Sequence, residues 1–209
     1  MPDPFPRTVP PASVTYPAVI GSLISVGQSG ALQTRSEAAQ GRVWTETWGA
    51  IAAGNEDVQE LLAFVENLYN TGATCTIKHY LLPGSGMAKN GGGGGTPLVD
   101  GGSQYGSTLD TKDWTSGVAV RMKAGDCFTV AGLDVLFKAV TDVSSDGSGD
   151  ATITIQPPIV SGAGSTPAGD AALTLSDAVI TAIVADYVGA QAGPDQFIGG
   201  LTVTFREAP

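Results

Sequence analysis

The stretch of residues 122–158, MKAGDCFTVAGLDVLFKAVTDVSSDGSGDATITIQPP, breaks every few residues at glycine or aspartate, leaving no room for a helix of ordinary length. What lies between the breaks is β-prone. Residues 117–122, 126–130, 135–141 and 151–155 read as short strands separated by Lys123-Ala124-Gly125, Ala131-Gly132 and the DVSSDGSGD segment 142–150. Asp146-Gly147 tolerates positive φ and so marks a hairpin, while Pro157-Pro158 is expected to end the last strand of the set. Gly125-Asp126 makes a turn that sends Phe128 and Val130 inward, with Ile153 and Ile155 completing the same layer.

The period changes only once with clarity. Val58, Leu61, Leu62, Val65, Leu68 and Tyr69 recur at three-and-four spacing, which predicts a helix capped by Asn55 and stopped by Asn70-Thr71-Gly72. Residues 21–33, 41–49 and 74–81 read as strands around it, and Leu201, Val203 and Phe205 alternate with polar residues in a closing strand. Residues 178–187 fit either a helix or a strand; their β-branching favours the strand. The expectation is a mainly β chain, a β-barrel or β-sandwich with one short α-helix in the N-terminal half and long Gly-rich loops. Residues 1–19 form an extended proline-rich arm that could reach a neighbouring subunit. Residues 20–209 form the β-rich domain, with an exposed loop insertion at about 83–106.

Charged residues are only 14% of the chain against 29 glycines, which suits tight turns and subunit interfaces. A net charge of −10 repels a phosphate backbone, so nucleic-acid contact is not expected. The opening residues hold no apolar run long enough for a signal-peptide core or a membrane span, which implies a soluble chain made in the cytoplasm.

Candidate sites are sparse. His79 is the only histidine and sits in a strand with no serine elbow nearby, which leaves a hydrolytic triad without its base. Gly84-Ser85-Gly86-Met87-Ala88-Lys89 lacks the second glycine before the lysine and the Ser or Thr after it, so it reads as a loop and not a phosphate cradle. Asp142, Asp146 and Asp150 miss the alternate-ligand spacing of a calcium loop. Cys75 and Cys127 have no CxxC partner and are expected as buried free thiols rather than a disulfide. Trp44, Trp48 and Trp114 suit a core or a subunit contact, with a sugar-stacking platform as the functional alternative. The reading therefore names no catalytic, cofactor-binding or metal-ligating residue, and the chain is read as non-enzymatic.

Several segments, in order, resemble a family of tail-tip proteins of long-tailed, non-contractile bacteriophages, the minor or distal tail proteins. SLISVGQSGALQTRSEAAQGRVWTETWG is similar to the family's opening strands, and LLAFVENLYNTGATCTI to its short helix leading into a strand. MKAGDCFTVAGLDVLFKAVTDVSSDGSGDATITIQPPI resembles its Lys-Ala-Gly-Asp turn, hairpin, Asp/Gly turn and Pro-Pro stop, and LTVTFREA its last strand. The resemblance implies a structural virion protein made in the bacterial host cytoplasm, forming a three- or six-fold homo-oligomeric ring or collar at the distal tail end. It implies tail tube and tail hub proteins as partners, and no cofactor. A glycan-binding receptor-recognition module, or another ring-forming virion protein of the tube or head-tail connector, is the alternative. The proline arm and the Gly91–Gly95 run depart from the family's pattern.

Overall fold

A computed structural model describes residues 3–4, 11–15, 18–19, 23–26, 32–35, 42–48, 51–52, 56–77, 94–117, 119–159, 166–175, 178–189, 191–192 and 197–208. The fold is mainly β, with a single short helix among the described residues. The chain divides into two compact units: residues 1–20, 40–77 and 181–209 form the first, and residues 21–39 and 78–180 the second.

The second unit holds a nearly closed barrel. Its six strands run in the order Leu173–Thr174, Cys127–Val130, Leu136–Ala139, Ala151–Ile159, Gly106–Trp114, Gly95–Val99. The sheet then curls shut through a bridge between Leu98 and Ala172, reinforced by Val99 N donating to Ala171 O (2.9 Å) and Asp170 N to Val99 O (3.0 Å). Every pairing is antiparallel. Inward residues fill the lumen: Phe128 stands opposite Phe137 with ring centroids 5.8 Å apart, and Leu109, Ile153 and Val99 are fully buried. Each such side chain contributes about 1.5–3 kcal/mol by leaving water.

The Gly125-Asp126 turn forms as the sequence predicts, with Gly125 at φ 98° and the buried Asp126 carboxylate accepting from Lys123 N at 2.7 Å. Three expectations change. Apart from residue 118, which lies outside the described residues, 117–122 form not a strand but a bent crossing, in which Gly117 (φ 64°) and Val120 (φ 60°) are left-handed and only Met122 pairs, through an isolated bridge to Val143. That crossing is pinned by the buried Arg121, whose guanidinium donates to Thr115 O and whose Nε donates to Ser145 Oγ at 3.3 Å. Pro157-Pro158 does not end its strand, which runs on to Ile159. Gly106 pairs with Ile159 and Thr108 with Thr154, so both prolines lie where the register shifts. Finally, Gly95–Val99 is a strand inside the stretch expected as an exposed loop. Gly95 permits it: at φ 83° it passes so near Asp113 that a Cβ would lie 2.3 Å from the Asp113 carbonyl oxygen. Residues 83–93 lie outside the described residues.

Residues 23–26 and 32–35, also in the second unit, form an antiparallel hairpin. The first unit holds a seven-stranded sheet in the order Asp3–Pro4, Cys75–Ile77, Ile180–Val188, Thr202–Glu207, Arg42–Thr47, Ser13–Val14, with Ala18–Val19 also pairing with Arg42–Thr47, and a three-stranded sheet of Gln191–Ala192, Phe197–Gly199 and Ile51–Ala52. The ambiguous residues 178–187 thus resolve mostly to strand. The helix Glu56–Thr71 buries Leu61, Val65 and Leu68, and Tyr69 meets Tyr187 edge-on at 5.1 Å. Gly72 ends it as expected, at φ 65° and donating to Leu68 O at 2.8 Å. The predicted cap Asn55 lies outside the described residues.

One face of Arg42–Thr47 is buried although it carries charge. Trp44 stacks on its register partner Phe205 at 5.4 Å, and Trp44 Nε1 donates to the buried Glu46 at 3.2 Å. The Arg42 guanidinium donates to both oxygens of Glu207 at 3.0 and 3.2 Å, and the Arg42 amide adds a third bond at 3.1 Å. Both side chains are at least nine-tenths buried, so removing one leaves the other charge uncompensated. Glu207→Ala should therefore cost roughly 3–5 kcal/mol, and Arg42→Met/Glu207→Leu together should recover most of it, both read by urea unfolding.

Two turn glycines make a second test. Gly125 has no heavy atom within 4 Å of where a Cβ would stand, so Gly125→Ala should cost only the left-handed backbone, about 1–2 kcal/mol. A Cβ on Gly149 would stand 2.5 Å from the Trp114 carbonyl oxygen while Gly149 is itself at φ 90°, so Gly149→Ala should lose clearly more. Equal losses in thermal denaturation would refute the steric account.

Candidate functional site

Among the described residues, the second unit presents one large aromatic ring to solvent on a backbone with little freedom. Residues 100–105 join the strands Gly95–Val99 and Gly106–Trp114, with Gly101 (φ 77°), Ser103 (φ 62°) and Gly106 (φ 98°) all left-handed. A serine persists there only if its surroundings hold it. Ser103 N donates to Pro167 O at 3.0 Å, and the Gln104 side chain closes the loop from inside. Its Nε2 donates to the carbonyls of Asp100 (2.6 Å), Asp110 (3.0 Å) and Gly101 (3.3 Å), while its Oε1 accepts from Asp110 N at 2.7 Å. Gly102 and Gly169 approach so closely that a Cβ on Gly102 would lie 3.1 Å from Gly169 N. Tyr105, beside the clamp, is 69% exposed.

Acidic groups stand on the same strands and turns. Lys112 Nζ lies 2.6 Å from Asp170 Oδ1 and 4.0 Å from Asp100 Oδ1, and the hydrogen bond and charge of Asp170 hold the lysine above its usual pKa. Asp110 Oδ1 accepts from the Thr152 hydroxyl at 2.7 Å. These carboxylates outnumber the single cation among them, a surface that disfavours phosphate and suits hydroxyl or amide donors.

The residues singled out from the sequence fall elsewhere. Trp44, Trp48 and Trp114 are buried, so the expected sugar-stacking alternative has no exposed tryptophan platform in this chain. Trp114 instead donates Nε1–H to Thr111 Oγ1 at 2.8 Å, and that hydroxyl donates to Ala151 O at 2.6 Å. Asp146 Oδ1 accepts from Ser148 N (2.8 Å) and Asp150 N (2.9 Å). Those backbone bonds, the one from Asp150 first, hold the Asp146 carboxyl below the usual carboxylate range. Asp142 is lowered likewise by the Lys123 ammonium (2.8 Å) and then the Ala124 amide (3.0 Å). Both carboxylates are thus occupied by turn hydrogen bonds, and among the described residues no group of three His, Cys, Asp or Glu side chains is placed to hold a metal ion. Cys75 and Cys127 are both buried and are not joined in a disulfide. His79 and residues 84–89 lie outside the described residues. Among the described residues no helix is long and apolar enough to cross a membrane.

Sequence reasoning left Tyr105 inside a loop. The signal that could have found it is its setting, GGSQYG, an aromatic ring among turn formers with no apolar neighbour to bury it. No protein-family profile matches this chain, and no curated protein sequence matches it.

If the Gln104 side chain fixes the turn, Gln104→Ala should raise hydrogen exchange at the Asp110 amide roughly 2- to 10-fold, the worth of one net hydrogen bond. An unchanged Asp110 amide would show that the backbone holds itself.

Proposed function

We propose that the chain is a structural virion protein of a bacteriophage tail. In this reading it forms an oligomeric ring or collar at the distal tail end, linking the tail tube to the hub and receptor-binding components. The observation that carries the reading is what residues 122–159 become. The segment whose turns and strands resemble tail-tip proteins forms wall and turns of a nearly closed barrel, with Asp126, Asp142 and Asp146 occupied in turn hydrogen bonds. Those carboxylates work as architecture. The reading names no catalytic group and no cofactor, and it includes ring-forming neighbours in the virion, the tube or the head-tail connector, as variants of the same role.

A second reading, surface recognition at the tail tip, is favoured by Tyr105, whose exposed ring is held out on the Gln104-clamped turn. A rigid aromatic with nearby carboxylates suits a host glycan better than an anionic polymer.

Quantitative mass spectrometry of purified tailed particles tests the first reading, with the chain expected at a fixed ring copy number. Its absence from particles would sink the proposal. In the same preparation, particles carrying Tyr105→Ala should assemble and adsorb normally if the role is structural alone; assembled particles that no longer adsorb would favour recognition.

A further inference from the structure

The first unit's sheet has two lateral strands, Cys75–Ile77 on one side and Arg42–Thr47 on the other, and segments of residues 3–19 cover both. Ser13–Val14 pairs with Thr47 and Glu46, and Ala18–Val19 with Val43 and Arg42, all antiparallel. Ala12 N donates to Thr47 O at 2.8 Å and Thr15 N to Thr45 O at 2.9 Å, while the Thr15 hydroxyl accepts from Thr45 N at 2.7 Å. That flank is well fastened. At the far edge, among the described residues, Asp3–Pro4 pairs parallel to Cys75–Thr76, a two-residue contact.

One chain covers both edges only at a tight reach. Five strand spacings separate Asp3–Pro4 from Ser13–Val14 in the sheet order, about 24 Å at ~4.8 Å each. The nine residue steps from Pro4 to Ser13 extend at most about 30 Å, so little length is left for passing around side chains. Pro6, Pro10 and Pro11 in that interval bias it to extended conformations, which suits a span better than a compact return.

We infer that the two edges are served by different copies: residues 13–19 stay on their own Arg42–Thr47 edge, while Asp3–Pro4 pairs with the Cys75–Ile77 edge of a second copy. The same parallel pairing then forms between chains, and the constraint of spanning one whole sheet disappears. Each copy gives one segment and receives one, a head-to-tail contact that closes into a ring when the rotation permits. It also covers a sheet edge that would otherwise template uncontrolled pairing. The inference rests on the self-assembling reading above and names the contact that would build the ring.

The register supplies the test. Asp3 and Cys75 are direct partners, so Asp3→Cys in a Cys127→Ser background places two thiols on adjacent strands, within disulfide reach. Ser13→Cys/Thr47→Cys, with Cys75 and Cys127 both replaced by serine, gives the control pair at the fastened flank. After oxidation of the assembled full chain, denaturing non-reducing electrophoresis should show a ladder of covalent multimers for Asp3→Cys and monomer alone for the control. Asp3→Cys that crosslinks only within chains, or not at all while the control closes, overturns the inference. Should either variant fail to fold, native mass measurement of the chain lacking residues 1–10 decides: loss of the multimer supports exchange, and an unchanged copy number refutes it. Particles that contain the chain but give only intrachain crosslinks would sink arm exchange and leave the virion reading standing.

Discussion

Every β-sheet ends in two strands whose outward amides and carbonyls lack a ladder partner, and both units of this protein are organised around satisfying them. The second unit does so by curling until Leu98 meets Ala172, so that the edges disappear into each other. The first unit keeps its sheet open and lays short segments of residues 3–19 along both flanks. Closure demands tight corners, which explains why left-handed glycines gather in the barrel at Gly94, Gly95, Gly101, Gly106, Gly125, Gly132 and Gly149. Part of the chain's glycine content is thus the geometric requirement of a small barrel.

The two cores use different means. The barrel lumen is mainly apolar, while the first unit buries Arg42, Glu46 and Glu207 among Trp44 and Phe205. A buried ion pair is weak evidence for stability, because hydrophobic residues of the same volume often do as well. Its effect here is on register: Arg42 on one strand and Glu207 on the next must meet for either to be tolerated, and a one-residue slip would send both to the wrong face.

Much of this was legible in the sequence. The helix, the Gly125-Asp126 turn, the inward Phe128, Val130, Ile153 and Ile155, and the closing strand all follow from periodicity and turn chemistry, which are local. The failures share a cause. Gly95–Val99 looked like loop because its composition is poor in strand formers, yet closure against Ala172 makes it a strand. Pro157 and Pro158 looked like a stop because a proline lacks an amide donor, yet they fall where the register shifts. Residues 117–122 looked like a strand because they are β-prone, yet a left-handed Val120 beside the buried Arg121 turns the chain there. Each outcome depends on a partner far along the chain. The Tyr105 surface was hidden for a local reason, since the Gln104 side-chain clamp joins residues on both sides of a turn that composition alone describes as flexible.

The order of strands in the first unit has a consequence for how the chain comes into being. Ile180–Val188 and Thr202–Glu207 lie between Cys75–Ile77 and Arg42–Thr47 in the sheet, so strands made early are joined only by strands made late. During synthesis the residues of the barrel, all before position 181, precede the two central strands of the first unit's sheet. Cys75–Ile77 and Arg42–Thr47, each flanked by a segment of residues 3–19, become one sheet only when Ile180–Val188 and Thr202–Glu207 join them. The pairing of Arg42–Thr47 with Thr202–Glu207 spans a longer stretch of chain than any in the barrel, so loop-closure entropy weighs most on the unit that hosts the insertion.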